Sequence, residues 1–256
     1  MLTRAIVRPP APNFAAGLSA AGLGAPVFGL ALEQHARYCE TLERCGLELI
    51  VLPADADFAD ATFVEDTAIV IGDLAILSRP GAPTRLGEVA RIAPALEAAF
   101  ERVHAIAAPG TLDGGDVCQA DNHFFIGLSE RTNAAGARQL ADLLTREGFT
   151  STIVDLRDVG GFLHLKSAFT YLGDRRIVAT EAVATHAALS GFEIVRVAQG
   201  EGYAANLLRL NDVVVIAAGF PRLRAELDRL GYAVAPLDMS EFRKMDGALT
   251  CLSLRF

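Results

Sequence analysis

The sequence lacks any apolar run long enough to cross a membrane, and the apolar stretch near its N-terminus is too short for a signal peptide. It has only four cysteines, with neither Cys-x-x-Cys spacing nor the density of a disulfide scaffold. Positive charge is also scarce, and the net charge of −8 argues against a nucleic-acid or acidic-membrane partner. We therefore expect a soluble protein in the reducing cytoplasm, with no nucleic-acid or membrane partner.

Apolar residues are plentiful enough for a large core: 52% of the 256 residues are hydrophobic and 21% are charged. Between residues 63 and 237, a pattern of strand, turn, strand, helix and strand occurs four times. The hairpin turns fall at Gly72-Asp73, Asp121-Asn122, Gly173-Asp174-Arg175 and Asn211-Asp212. The helices are predicted at residues 87–100, 133–147, 182–189 and 221–230.

A fifth unit is split between the two ends of the chain. Residues 2–8, 32–45 and 49–52 read as strand, helix and strand without a hairpin partner. The alternation over residues 249–254, after the turn signal Asp246-Gly247, supplies the missing strand. Pairing the last strand with the first closes a ring and removes free edges. The sequence therefore predicts a single α/β domain over residues 1–256, a five-bladed pseudo-symmetric propeller of ββαβ modules.

Polar residues open the first strand of four of these units. They are Glu65-Asp66, Asp113-Gly114-Gly115-Asp116, His164 and Cys251. Taken singly, a cysteine or histidine between apolar neighbours is more often part of the core. In a ring of equivalent modules, however, equivalent strand ends converge on the axis. We therefore expect these side chains to meet in one central pocket.

Cysteine, histidine and carboxylate together can supply a nucleophile, a general acid/base and an orienting group. An excess of carboxylates beside the nucleophile favours a guanidinium substrate, since carboxylates accept paired hydrogen bonds from its planar fork. Arg85 and Arg131 would suit an amino-acid carboxylate, although a single loop arginine is usually just solvated.

The chain also closely resembles the dimethylarginine dimethylaminohydrolases of the guanidino-group-modifying (pentein) superfamily, nearly end to end. The matching segments, each weak alone and specific as an ordered set, are Leu30-Ala31-Leu32-Glu33-Gln34-His35, Phe63-Val64-Glu65-Asp66, Arg79-Pro80-Gly81-Ala82, Gly110-Thr111-Leu112-Asp113-Gly114-Gly115-Asp116, Ser129-Glu130-Arg131-Thr132-Asn133, Leu163-His164-Leu165-Lys166, Tyr203-Ala204-Ala205-Asn206 and Asp246-Gly247-Ala248-Leu249-Thr250-Cys251.

The resemblance implies catalytic roles for three residues: Cys251 as nucleophile, His164 as general acid/base, and Asp113 as the partner of His164 and the guanidinium. It also implies seven substrate-binding residues. Glu65 and Asp66 would hold the guanidinium, with Asp66 in direct contact, and Arg85 and Arg131 would clamp the α-carboxylate. The α-amino group would be received by Asp60, the Leu18 backbone and the Met245 carbonyl.

The reaction implied by the resemblance is hydrolysis of methylated arginine to citrulline and an amine through a covalent thiouronium. It needs no cofactor and no catalytic metal, although a Cys/His/Asp cluster can capture inhibitory zinc. Residues 14–23 would form a lid that is mobile when the site is empty. Family members often pair, so a homodimer is a further expectation.

Three other functions stay open. Arginine deiminase performs the same chemistry with ammonia leaving, but such relatives tend to be longer, with an inserted helical segment. An amidinotransferase would pass the amidino group to an amine rather than to water. A non-catalytic binding propeller has no need for Cys251, His164 and Asp113 together.

Overall fold

A computed structural model describes residues 1–159 and 161–256 as five three-stranded sheets, each with an antiparallel pair followed by a parallel strand. The strands are β1 Arg4–Val7, β2 Glu48–Val51, β3 Ala68–Ile71, β4 Leu74–Leu77, β5 Arg102–Ala105, β6 Val117–Ala120, β7 His123–Leu128, β8 Thr150–Asp155, β9 Phe169–Gly173, β10 Arg176–Ala179, β11 Glu193–Arg196, β12 Leu208–Leu210, β13 Val213–Ala217, β14 Ala233–Leu237 and β15 Ser253–Arg255.

Four helices of nine or more residues and two short ones accompany the sheets. They are α1 Phe28–Arg44, α2 Glu88–Ala99, α3 Ala134–Arg146, α4 Leu165–Ala168, α5 Pro221–Arg229 and α6 Ser240–Arg243. The long helices each connect the second and third strands of a sheet, as the repeat pattern predicts. Their apolar faces are buried: in α3, Ala137, Leu140 and Leu144 pack against strand residues such as Ile76 and Phe124. No helix in the described ranges has the length and apolar character needed to cross a bilayer.

The predicted hairpin turns are confirmed by their backbone angles. Gly72, Asp121, Asp174 and Asn211 all have positive φ, between 53° and 57°. Glycine, asparagine and aspartate tolerate this left-handed region better than other residues, which is why they punctuate the repeat.

The predicted closure of the ring is also confirmed. In the sheet β15-β1-β2, Ile6 pairs with Leu254 and Val7 with Ser253, antiparallel. Asn211 reinforces the closure, because its side chain accepts a hydrogen bond from the Leu2 amide at 2.9 Å and donates to the Leu2 carbonyl at 3.0 Å. The unit formed by the two ends of the chain thus contacts the fourth repeat.

Two local predictions were wrong. Residues 182–189 form turns and a short 3-10 helix, Ala187–Leu189, instead of an α-helix; there the His186 imidazole accepts the Ala188 amide and supports a tighter turn. The strand openings are also one-turn helices rather than strand: Val64–Thr67, Gly114–Asp116, α4, Gly202–Ala205 and Thr250–Leu252 precede β3, β6, β9, β12 and β15. In Val64–Thr67 all four residues are buried, a pattern shared by strands that are covered on both faces, so burial did not distinguish the turn from a strand.

Candidate active site

The one-turn helices gather at one end of the ring, and two cavities lie along its axis. The larger cavity, about 660 Å³, is bordered by the inner strands and runs to the hairpin-turn end. The smaller, about 30 Å³, lies at the end formed by the one-turn helices. That volume holds a water molecule or two and excludes an amino acid, so the end of the ring that carries the polar residues is closed in this structure.

Eight of the ten residues expected in the site line the small cavity: Leu18, Asp60, Asp66, Arg85, Arg131, His164, Met245 and Cys251. They come from separate units of the chain, so only the closed ring assembles them. Asp113 and Glu65 do not line this cavity. Asp113 lies behind His164, fully buried, whereas Glu65 faces the larger cavity.

His164 is held between two carboxylates. Its Nε2 atom is 3.0 Å from Asp113 Oδ2 and 3.9 Å from Asp66 Oδ1. Backbone amides also hold these two carboxylates: the Gly81 amide donates to Asp113 Oδ1 and the Gly115 amide to Asp66 Oδ1, both at 2.9 Å. Backbone donors from two loops therefore fix the carboxylates that orient the imidazole.

This setting favours the charged form of His164. Burial alone would lower the pKa of His164, but the charge of Asp66, the hydrogen bond that His164 donates to Asp113 and the charge of Asp116 outweigh it and raise the pKa to about 9. Burial would raise the pKa of Asp66, and nearby His164 and Arg85 instead bring it down to about 2. At neutral pH the site therefore holds an imidazolium beside ionised Asp66.

Cys251 is half-buried on the one-turn helix Thr250–Leu252 and faces the small cavity. Burial, followed by the charges of Glu65 and Asp66, raises the pKa of the Cys251 thiol to about 12. The thiol is therefore neutral when the cavity contains no cation. A positive ligand placed beside it would stabilise the thiolate.

Glu65 lies on the far side of the nucleophile, not in the guanidinium position expected from sequence. Its carboxylate is 2.6 Å from Lys166 Nζ and 3.2 Å from Arg255 Nη2, and it accepts the Thr250 hydroxyl at 2.6 Å. Lys166, Arg255 and Thr250 bind both oxygens of the Glu65 carboxylate, and Glu65 does not line the small cavity. Glu65 thus touches the residue next to Cys251 rather than the space in front of it.

The two arginines of the expected carboxylate clamp differ in their surroundings. Arg85 is 5% exposed, and its Nη1 is 2.6 Å from Asp66 Oδ2 while its Nε and Nη2 bind Glu88 at 3.0 and 2.8 Å. Only part of its guanidinium is left for a ligand. Arg131 is half-buried at the cavity, and its guanidinium makes none of the hydrogen bonds found within residues 1–159 and 161–256.

The expected lid is closed over the cavity. Both carboxylate oxygens of Asp60 accept the Leu18 amide at 3.1 Å. The Ser19 hydroxyl donates to the Lys244 carbonyl at 2.7 Å, and the Ala20 amide to Asp246 at 2.5 Å. The segment before the final one-turn helix, which carries Met245 into the cavity lining, therefore also anchors the lid.

Comparisons with known proteins identify the family. The arginine deiminase family model matches residues 60–201. The chain is 39% identical, over the full length of both chains, to the N(G),N(G)-dimethylarginine dimethylaminohydrolase of Pseudomonas aeruginosa. A cysteine-to-serine variant of the Pseudomonas aeruginosa enzyme, solved with citrulline, superposes with a TM-score of 0.97 at 38% identity and full coverage of both chains. A histidine-to-glycine variant of a dimethylarginine dimethylaminohydrolase, solved as an adduct with S-methyl-L-thiocitrulline, gives the same values.

The chain belongs to the dimethylarginine dimethylaminohydrolase family. It is thus an enzyme related to hydrolases of guanidino C–N bonds, as the sequence resemblance indicates.

Within this family member, four residues of the site went unassigned from sequence. They are Glu88, Asp116, Lys166 and Asn206, the last of which donates to the Thr250 hydroxyl and accepts the Thr250 amide beside Cys251. Three of them stand inside segments that carry the family resemblance, but those segments alone do not show what each side chain contacts. Glu88 had a local signal, since it follows Arg85 at the i, i+3 spacing of helical ion pairs.

Three of the side chains that could bind a metal ion lie close together, but Cys251 is not among them. Single ligand atoms of Asp66, Asp113 and His164 lie within 4.8 Å of one another, and all three residues are buried. Cys251 does not belong to this group, so the expected Cys/His/Asp set is not assembled in the closed structure. Zinc would also have to displace the His164–Asp113 hydrogen bond, and inhibitory zinc binding stays a prediction.

Proposed function

We propose that this protein hydrolyses Nω-methylated arginines to citrulline and dimethylamine or methylamine. The observation that carries the proposal is the position of His164, held by Asp113 and Asp66 beside a cavity that Cys251 also lines. A relative 38% identical over the whole chain was solved with citrulline, the product this reaction would release.

In the first half-reaction, the guanidinium of the substrate enters beside Asp66 and Cys251. Its positive charge lowers the pKa of the thiol, which loses its proton to solvent. The thiolate attacks the guanidine carbon and forms a C–S bond. His164, protonated at neutral pH, gives its proton to the departing nitrogen as the C–N bond breaks.

In the second half-reaction, water replaces the amine. His164 is now neutral and takes a proton from this water as its oxygen bonds to the carbon of the thiouronium. The C–S bond then breaks, which releases citrulline and restores the thiolate. The hydrogen bond to Asp113 keeps the imidazole in the same orientation in both half-reactions. Neither half-reaction requires a cofactor.

Substrate binding is assigned to the remaining cavity residues. Arg131, with the free part of Arg85, would bind the α-carboxylate. Asp60 and the carbonyls of Leu18 and Met245 would receive the α-amino group. Glu65 would act from behind, by fixing Thr250 next to the nucleophile, and would not contact the guanidinium.

The whole of residues 1–256 is proposed to act as one catalytic unit, because the pairing of β15 with β1 joins the two ends of the described chain. A reducing, cytoplasmic setting is inferred from its four cysteines, all of which are free thiols.

The test is citrulline formation from asymmetric dimethylarginine and from arginine, with the wild type, Cys251→Ser and the matched control Cys39→Ser. We expect turnover of the methylated substrate by the wild type and the control, and its loss in Cys251→Ser. Preference for arginine would instead make the protein a deiminase. A folded wild type that forms no citrulline from either compound would overturn the hydrolase proposal.

A further inference from the structure

Asp116 is a fully buried carboxylate that the mechanism above does not use. It forms no ion pair in the part of the chain that the structure describes. Its Oδ1 accepts the Leu165 amide at 2.9 Å, and its Oδ2 accepts the Ser129 hydroxyl at 2.6 Å. Burial raises the pKa of Asp116, while the charge of His164 and the hydrogen bonds from Ser129 and the Leu165 amide oppose that rise. Both oxygens accept and neither donates, which is the geometry of an ionised carboxylate.

One of these bonds leads to the general acid/base. Leu165 follows His164 directly and begins α4, so its amide is one of the unpaired donors of a helix start. By accepting it, Asp116 fixes the backbone from which the imidazole projects. Behind the carboxylate there is little space: a Cβ on Gly127 would lie 2.9 Å from Asp116 Oδ1.

The other bond leads to the loop of Arg131. The Ser129 hydroxyl that donates to Asp116 accepts the Arg131 amide at 2.9 Å and the Thr132 amide at 3.2 Å. The Thr132 hydroxyl in turn accepts the Asp113 amide at 3.1 Å. Asp116 is therefore linked to the backbone of His164 through the adjacent Leu165 amide, and to the backbone of Arg131 through the Ser129 hydroxyl.

We propose that Asp116 is a positioning residue that locks His164 and Arg131 into one rigid unit, and so sets the distance between the reacting carbon and the bound α-carboxylate. The roles of His164 and Arg131 in this statement rest on the proposed function. The connection itself does not, because it consists of hydrogen bonds within the protein.

The experiment compares Asp116→Asn with Ser129→Ala, and with Asp158→Asn as an exposed control. Ser129→Ala removes the hydrogen bonds to Asp116 and to the Arg131 and Thr132 amides but keeps the bond from the Leu165 amide to Asp116. We therefore expect KM for dimethylarginine to rise about tenfold while kcat changes much less. Asp116→Asn disturbs both branches and removes a negative charge near His164. We expect the same rise in KM, a fall in kcat, and a His164 pKa lower by about one unit.

The pKa of His164 is read directly by NMR titration of the labelled imidazoles in the substrate-free protein, with His164→Gln to assign the signal. An unchanged His164 pKa in Asp116→Asn, or an unchanged KM in Ser129→Ala, would overturn the proposal. If the wild type forms no citrulline, the proposed function fails, while the imidazole titration still tests the branch to His164. If Asp116→Asn does not fold, Ser129→Ala decides, since it should move KM and leave the His164 pKa in place.

Discussion

A resting thiolate–imidazolium pair would require the pKa of Cys251 to lie below that of His164. In this protein the order is reversed. The pKa of Cys251 is raised to about 12 and that of His164 to about 9. At neutral pH the empty site therefore pairs a neutral thiol with an imidazolium. Cys251 stays protonated and unreactive until a cationic substrate binds beside it. This favours guanidinium substrates over neutral electrophiles.

This order predicts how Cys251 responds to alkylation. Because only the thiolate reacts, the rate of modification by iodoacetamide in the ligand-free protein should rise about tenfold per pH unit from pH 6 to 10, without a plateau. Mass spectrometry of the peptide that contains Cys251 measures this rate. A plateau near pH 7 would show a thiolate already present in the empty site and would contradict the proposed activation by substrate.

The arginines of the carboxylate clamp should differ on mutation. Arg85→Ala leaves Asp66 and Glu88 buried without their cation, and breaking such a buried pair costs about 3–5 kcal/mol. Among the residues that the structure describes, Arg131 has no comparable partner, so Arg131→Ala should raise KM and leave the free energy of unfolding within about 0.5 kcal/mol of wild type. Urea unfolding followed by circular dichroism, beside steady-state kinetics, separates the two. Equal destabilisation by both substitutions would contradict this reading of the structure.

At the scale of elements, the lid over residues 14–23 is held by few contacts, and several of its residues are exposed. We predict that its amides exchange with deuterium at least about tenfold faster in the ligand-free protein than with citrulline bound. Ser19→Ala, which removes the bond to the Lys244 carbonyl, should speed exchange further without ligand. Peptides from α3 are the internal control. Equally slow exchange of the lid with and without citrulline would argue against a mobile lid.

The elements that sequence predicts well are those with local causes. Hairpin turns are set by residues that tolerate positive φ, such as Gly72 and Asn211, and the four confirmed helices by apolar periodicity. The one-turn helices have too few residues for any periodicity, and consecutive burial in Val64–Thr67 reflects packing at the ring axis. Packing at the ring axis involves residues far apart in sequence, so the local pattern of these segments predicts a strand instead of a one-turn helix.

The site divides in the same way. Residue types and the family resemblance were sufficient to name eight of the twelve residues that line the small cavity. Orientation was not predictable, because Glu65 is turned away by Lys166 and Arg255, which lie 101 and 190 positions further along the chain. The hydrogen bonds by which Glu88 engages part of the Arg85 guanidinium likewise depend on where the loop before α2 is placed.

At the scale of the whole molecule, the site is built from side chains of separate units, so the charge on His164 is linked to the stability of the closed ring. The folded pKa of His164, about 9, lies above its usual value of 6.5. The folded state therefore binds one more proton than the unfolded state between these values. That contribution to stability is fully present below about pH 6.5 and is lost as pH rises through 9.

We predict that the free energy of unfolding of the wild type falls by roughly 3 kcal/mol between pH 6.5 and 9, at 1.36 kcal/mol per unit of pKa shift. His164→Gln, which keeps a hydrogen-bonding side chain but cannot be protonated, should lack this decline. Half-buried Cys251, whose pKa is also raised, lowers the free energy of unfolding further only from about pH 9 upward, so the two proteins are compared below that pH. Urea unfolding at half-unit steps of pH measures both proteins. Parallel curves for the two would mean that His164 is not held as an imidazolium, and the acid in the first half-reaction would have to be another group.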